Sequence, residues 1–411
     1  MVKKMSNIRF GVNYSPSQKW FYSWIEFDRA AVEKDFAAIQ SLGVDHIRVH
    51  LIWQYFQPNS SYVSEQLLDN LYTLLEVAEQ YELDVEVTVL DGWLCGFVFT
   101  PEWVKDNNIF TSREIIDAQK LLFQKITDKI GMHKRFMGFD LGNELCVLHH
   151  GQNSVTPQEA DAWHNEMMDF VNQIAQGKFH VNGVDHKPWF SDFSFSKATL
   201  ANTGSVTSIH TWILFTGATE LYDPMGTGCV HLIEYCIELA KAYSVDPERK
   251  IWVEEFGINK GWIEEALMPE FIEQTVEAAL SCSNVWGLTW WCSHNIDRAY
   301  EGFDKLEYEM GLFDVDNNMK QNGKKFAEII AKYKENPPKP IQRNKAIVLP
   351  NNYFADKMKE SKSLESVGWS FGRQFMDYIE MGIRPAIVLE SRLQDQEYLA
   401  IRGITELLPL R

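Results

Sequence analysis

The sequence holds no run of about 18 apolar residues, so it offers no candidate for a membrane-spanning helix. Its first residues, Met1-Val-Lys-Lys-Met-Ser-Asn, lead into a strand-like segment and lack the apolar stretch and small-residue cleavage site of an export signal. Six cysteines in 411 residues, with no CxxC pair, are too sparse for the disulfide framework of a secreted scaffold. The expectation is a soluble cytoplasmic protein whose cysteines are reduced packing residues. Positive charge is scarce as well. Lys and Arg number 39 against 57 Asp and Glu, a net charge of −18, which repels nucleic acid and anionic membrane surfaces and favours a neutral ligand. The first strand-to-helix turn reads Gly-Val-Asn-Tyr-Ser-Pro and not GxGxxG, so no dinucleotide site is expected.

What the chain does have is core material in alternating blocks. Apolar residues make up 45% of it, and no low-complexity tract interrupts them. Short β-branched or apolar runs predict strands at 8–13, 44–51, 84–90, 136–141, 188–192, 206–210, 250–254 and 285–291. Helical periodicity predicts helices at 28–42, 64–81, 112–130, 157–177, 230–243, 269–281 and 320–334. Their ends are marked by Gly43, a Ser64 cap, Gly131 and Pro157. Residues 194–205 leave room for only a turn or so of helix. This pattern predicts an α/β fold, a (β/α)8 TIM barrel over residues 1–338. The proline-rich Glu335-Asn-Pro-Pro-Lys-Pro340 then breaks the last helix. A small βαβ-like appendage, residues 339–411, is expected beyond it, with strands at 346–349 and 385–389 around a helix at 366–381. Such a unit either packs on the barrel or joins two copies of the chain into a homo-oligomer, and both stay open here.

In a barrel of this kind the reactive groups stand at the C-terminal ends of the strands. The fourth predicted strand ends Phe-Asp-Leu-Gly-Asn143-Glu144, and the seventh ends Ile-Trp-Val-Glu254-Glu255-Phe-Gly, placing carboxyl groups across one mouth. Cleavage of a glycosidic bond needs such a pair. One group protonates the departing oxygen while the other stabilises or attacks the anomeric carbon, with neither metal nor organic cofactor. Carboxyl groups about 5–5.5 Å apart serve retention and about 6.5–9.5 Å serve inversion, a gap that sequence does not measure. Side chains alternate along a strand, so Glu254 is expected to point outward and Glu255 into the barrel.

Read in order, Gly-Val-Asn at the first strand, His-Ile-Arg48-Val-His-Leu-Ile-Trp53 at the second, Gly-Asn143-Glu144 at the fourth, Ile209-His210 at the sixth, Glu255-Phe-Gly at the seventh and Gly-Leu-Thr-Trp-Trp291 at the eighth form a set. This set resembles clan A of the glycoside hydrolases, and family 5 most. The resemblance covers residues 8 to about 335. It implies a double displacement with Glu144 as acid/base and Glu255 as nucleophile. It further implies that Arg48 holds the nucleophile ionised, Asn143 binds the sugar 2-hydroxyl, His210 steadies the nucleophile side, and Trp291 floors the pocket. Two departures bear on the subsites: Leu-Asp91-Gly-Trp93 stands where the family often has a histidine, and Trp212 where it often has a tyrosine. The fragments Asn-Tyr-Ser-Pro, Trp-Phe-Tyr-Ser-Trp24 and Val-Leu-Asp-Gly-Trp are similar to family 5 β-mannosidases acting on short mannosides such as Man-β-1,4-GlcNAc.

Cys146, His149 and His150 lie close together but lack the second cluster of a metal site, so no metal is expected. Trp20, Trp24, Trp93, Trp103, Trp163 and Trp212 fall near the mouth side, about half of them as core and the rest as faces for stacking on sugar. The functional expectation is a retaining, exo-acting β-glycosidase, with β-mannosidase favoured, working on a small oligosaccharide. The alternatives are an endo-acting β-glucanase or β-mannanase and a non-catalytic carbohydrate-binding barrel, and the two carboxylates argue against the last.

Overall fold

The computed structural model describes residues 8–410, and the residues read for an export signal, 1–7, lie outside that range. Seven parallel strands form one curved sheet: β1 (Arg9–Tyr14), β2 (His46–Ile52), β3 (Asp84–Asp91), β4 (Phe136–Asp140), β5 (Thr207–Thr211), β6 (Ile251–Phe256) and β7 (Val285–Trp290). Their spatial order is β4-β3-β2-β1-β7-β6-β5. The gap between β4 and β5 is filled by the extended segment 179–183. The N–H groups of Phe179 and Val181 donate to Met137 and Phe139 on β4, both at 2.9 Å, and His180 accepts from Ser205 at 2.7 Å on the other side. That segment is the fifth stave, and it closes a (β/α)8 TIM barrel.

The predicted strand at 188–192 is therefore corrected. Lys187–Phe190 is a short helix with proline in its first turn. Pro188 has a fixed φ suited to a helix start and no N–H to give a ladder, whereas Phe179, His180 and Val181 present the alternation that a stave needs. The other predicted strands and the seven long helices are present. The helices are α1 (Arg29–Gln40), α2 (Glu65–Gln80), α3 (Arg113–Ile130), α4 (Pro157–Ile174), α5 (Leu232–Tyr243), α6 (Met268–Leu280) and α7 (Gln321–Tyr333). Ser64 caps α2 by accepting from the N–H of Leu67, and Thr156 with Glu159 forms a capping box on α4. Only the six-residue helix Lys197–Asn202 fits before β5.

On β2 the side chains alternate: Ile47, Val49 and Leu51 pack in the hydrophobic core, while His46, Arg48 and His50 face inward at successive heights. The bottom layer is closed where His46 and Trp252 both bond Thr289 at 2.8 Å. Polar chemistry is left to the upper layers.

The appendage is a three-stranded parallel sheet, with β8 (Lys345–Leu349) between β9 (Ala386–Leu389) and β10 (Glu406–Leu408). Its helices are α8 (Tyr353–Glu360), α9 (Leu364–Glu380) and α10 (Gln396–Ile401). It packs on the barrel through α5, whose buried Glu234 and Glu238 meet Arg343, Arg384 and Arg402. Among the described residues no helix is long and apolar enough to cross a membrane, and all six cysteines are free and buried.

Candidate active site

The site is built where β4, β5 and β6 end. Just past β4, Glu144 has φ 45, a left-handed conformation that costs a non-glycine residue about 1–3 kcal/mol. Its N–H donates to the carbonyl of Gly183 at 2.9 Å, which fixes the turn and directs the side chain at the barrel mouth. Opposite it, β6 carries a bulge: Val253 pairs with Ile209, and the next register pair is Glu255 with His210. Glu254 is the extra residue, so the period-two rule fails there. It was expected to face outward; instead it is fully buried inside the barrel, beneath Glu255.

One guanidinium organises the interior. Arg48, wholly buried on β2, donates through Nη1 to Glu255 at 2.7 Å and Asn13 at 3.0 Å, and through Nη2 to Asp140 at 2.7 Å and Asn143 at 3.0 Å. Its Nε lies 3.1 Å from Glu254. His210, at the end of β5, bridges the carboxylates. Nδ1 is 2.8 Å from Glu144 and 3.4 Å from Glu255, and Nε2 is 3.4 Å from Glu254. One oxygen of Glu144 and one of Glu255 lie within 4.8 Å of each other, with the His210 nitrogen inside the same limit. Trp212 Nε1 donates at 3.3 Å to Oε2 of Glu255, the oxygen that faces His210, while Arg48 holds Oε1.

These groups open on a cleft of about 420 Å³ lined by Trp93, Asn143, Glu144, Trp212, Glu255 and Trp291. Arg48 and His210 sit just beneath it. Asp91 is also below the lining, 3.1 Å from Nδ1 of His50. Of the loop tryptophans, Trp93 and Trp212 reach the cleft. Trp163 is packed inside with its N–H on Gln119, and Trp103 donates to Gln57.

The family model described as Cellulase (glycosyl hydrolase family 5) matches residues 8–295. The chain belongs to glycoside hydrolase family 5. A GH5_18 enzyme from Streptomyces cattleya in complex with GlcNAc is 32% identical, with a TM-score of 0.91 over 98% of both chains. A glutamate-to-alanine variant of a GH5_18 enzyme from Bifidobacterium longum subsp. longum, in complex with Manb1-4GlcNAc, is 31% identical, with a TM-score of 0.87 over 98% of this chain and 95% of that one. The exo-beta-1,4-mannosidase Op5Man5 from an Opitutaceae bacterium, at 18% identity and TM-score 0.78 over 93% of this chain and 70% of its own, shares the fold. No curated protein matches.

In this family 5 enzyme, burial pushes the Glu255 carboxyl up to about 7, with Glu144 and Glu254 adding to the rise and His210 and Arg48 opposing it. Burial alone would lower His210, but Glu255, Glu144 and Glu254 lift it to about 10. Burial likewise works against the charge on Glu254, yet Arg48, His210 and Ser208 hold that carboxyl below its ordinary value. Glu86, buried on β3, is pushed well above the carboxylate range by burial and then by Glu254 and Asp140. Glu144, His210 and Glu255 form the one group among the described residues with metal-like spacing, and in it Nδ1 of His210 is already engaged with Glu144. Cys146 and His149 do not converge: Cys146 Sγ is 3.1 Å from Asp185, and His149 packs against Phe110 and Phe195.

Several cleft residues escaped the sequence reading: Asp185, His186, Lys187, Asp304, Glu307 and Glu365. None lies at the end of a predicted strand, and Glu365 belongs to the appendage. Asn13 and Asp140, which share Arg48, could have been found, because both stand at strand ends on the inward-facing register.

Proposed function

We propose that this glycoside hydrolase is a retaining, exo-acting β-mannosidase that cleaves short β-mannosides such as Man-β-1,4-GlcNAc. The observation that carries retention is the approach of the Glu144 and Glu255 carboxylate oxygens to within 4.8 Å. That close approach fits the shorter separation of a retaining pair better than the wider one that admits a water.

In the first step an oxygen of Glu255 forms a bond to the anomeric carbon as the bond to the departing oxygen breaks, and Glu144 gives that oxygen its proton. Glu144, now a carboxylate, takes a proton from water; the water oxygen bonds the anomeric carbon and releases Glu255. Arg48 and Trp212 fix the attacking carboxylate through their donors. Asn143 is locked by accepting from Arg48 and donating to the Trp93 carbonyl at 2.9 Å, which leaves its remaining N–H for the 2-hydroxyl. Trp291, Trp93 and Trp212 supply flat apolar walls, and Asp91 supports the floor through His50.

Exo action is supported by an aromatic barrier. The hairpin Trp93–Leu94/Phe97–Val98 meets the loop after β7 where Phe97 packs on Phe303, ring centres 4.9 Å apart, beside Glu307. The disaccharide in the glutamate variant of the Bifidobacterium relative supports the specificity. The reading includes a cytoplasmic location, no cofactor, and residues 1–338 as the catalytic unit with 339–411 appended.

Release of mannose from aryl β-mannosides, against glucose from aryl β-glucosides, tests the glycone. Azide tests the division of labour. Glu255→Ala should yield the azide of inverted configuration and Glu144→Ala the retained one, and the opposite assignment would reverse the roles. Activity on polymer alone would remove the exo reading.

A further inference from the structure

Beneath the proposed nucleophile lies a carboxyl that the double displacement does not use. Glu86 stands on β3 in register with Arg48 on β2. Its neighbours Val85 and Val87 pack outward in the hydrophobic core, so the period of two turns Glu86 into the barrel, where it is fully buried. Three charged groups face it there: Arg48 from β2, Asp140 from β4 and Glu254 from β6, with the Glu254 carboxyl within hydrogen-bonding reach. On its far side Glu254 meets Nε2 of His210, from β5, at 3.4 Å.

The donors of this layer are already placed. Arg48 gives Nη1 to Asn13 and Glu255, and Nη2 to Asp140 and Asn143. Oε2 of Glu254 takes Ser208 and His210. Left buried and without a donor are Oε1 of Glu254 and both oxygens of Glu86. Nε of Arg48 comes within 3.1 Å of that Oε1, an approach that attracts it without forming a hydrogen bond.

Two ionised carboxylates offer only acceptors, so their contact in a dry interior requires a proton on one of them. Arg48, His210 and Ser208 all favour the charge on Glu254, whereas no donor reaches Glu86. The charge count agrees. Arg48 and His210 are two cations set among Glu86, Asp140, Glu254 and Glu255, and a fourth buried anion would add repulsion with no counter-ion of its own. We infer that Glu86 is a positioning residue that stays protonated through the working range, its O–H donating to Oε1 of Glu254. This bond fixes Glu254, Glu254 fixes the Arg48 fork, and the fork aims Glu255. The inference rests on Glu255 as the proposed nucleophile. The proton stays on Glu86 throughout the reaction.

Glu86→Gln and Glu86→Met test this in the full-length enzyme, because the amide N–H of Gln replaces the O–H and Met has no donor. The first readout is the infrared difference between wild type and Glu86→Gln at about pH 8.5, above the values near 7 of Glu255 and Glu307. The carbonyl stretch of a protonated carboxyl is expected in wild type and lost in the variant. The second is the pH profile on an aryl β-mannoside. Glu86→Met should lose about tenfold or more in kcat at nearly constant KM, and Glu86→Gln should recover most of that loss with its acid limb in place. A missing band would overturn the inference. So would a limb moved about one unit to lower pH in Glu86→Gln, the sign that an anion had been removed. A Gln variant as damaged as Met, or a Met variant as active as wild type, would overturn the positioning role. Should Glu86→Met not fold, the band and the Gln limb decide. The band needs no substrate, so a wild type that cleaves no mannoside speaks against the proposed function alone, and the profile is then read on whichever aryl glycoside is cleaved.

Discussion

Nη1 of Arg48 stands 2.7 Å from Oε1 of Glu255, while Nε of the same side chain stands 3.1 Å from Glu254 and Nη2 stands 2.7 Å from Asp140. One buried cation thus meets three buried carboxylates, and its fork gives each a separate edge. The proposed nucleophile is held from below by a group that is itself held by two other anions.

Removing that cation leaves its partners buried and unpaired, which costs about 3–5 kcal/mol. Arg48→Met is expected to lose stability of that order in urea unfolding. Arg48→Lys keeps a charge but not the fork, so it should fold and lose most of its turnover. A Met variant as stable as wild type would contradict the role assigned to this cluster.

As the proposed nucleophile Glu255 must be ionised to attack, and burial raises its carboxyl to about 7. Activity is therefore expected to fall as pH drops through about 7, an acid limb well above the ordinary carboxyl value of about 4.3. His210 opposes that rise, so His210→Asn should move the limb to still higher pH. The profile of kcat/KM against pH measures both; a limb near pH 4 would show that Arg48 wins over burial.

Gly183 borders the cluster from the fifth stave. A Cβ there would lie 2.8 Å from Glu254, 2.9 Å from Arg48 and 3.0 Å from Asp140. Gly183→Ala is expected to destabilise the fold by about 1–3 kcal/mol and to cost activity beyond that, since the displaced atoms are those that fix Glu255. Thermal melting and steady-state kinetics on the same preparation separate the two effects.

Glu238 joins the barrel to the appendage, with Lys241 at 2.8 Å and Arg402 at 2.7 Å. Burial acts against its charge, but Lys241, Arg402 and Arg343 bring the carboxyl down to about 2. A depressed carboxyl stabilises above its unfolded value near 4.3, and that contribution, about 3 kcal/mol, is lost as pH falls toward 2. Glu238→Gln should be less stable at pH 7 and show a shallower loss between pH 5 and pH 2. An unchanged slope would show that other carboxylates govern acid unfolding.

Much of this was legible in the linear chain. Apolar alternation, caps such as Ser64, and the breaks at Gly43 and Pro337 follow from local propensity, and they predict the barrel and its helices. Glu144 and Glu255 stand at strand ends, the positions from which a barrel presents side chains to its mouth. Residues 179–183 were missed because a stave needs neighbours on both sides to form its ladder, whereas 188–192 looks apolar in isolation. Glu254 was turned the wrong way because a bulge is a property of pairing with β5 and not of the strand's own residues.

Glu365 marks the larger limit. More than a hundred residues of chain separate it from Glu255, and only the docking of α9 through Gly368, Trp369 and the Glu234–Arg384 pair brings it to the cleft wall. Composition, period and motif decided the fold class, the strands and the opposed glutamates, because those depend on short-range patterns that any barrel reads alike. The closing stave, the inward Glu254, the approach of the carboxylates to within 4.8 Å and the appendage's place at the cleft wall were decided by tertiary packing, because each depends on how distant segments meet, which no local pattern encodes.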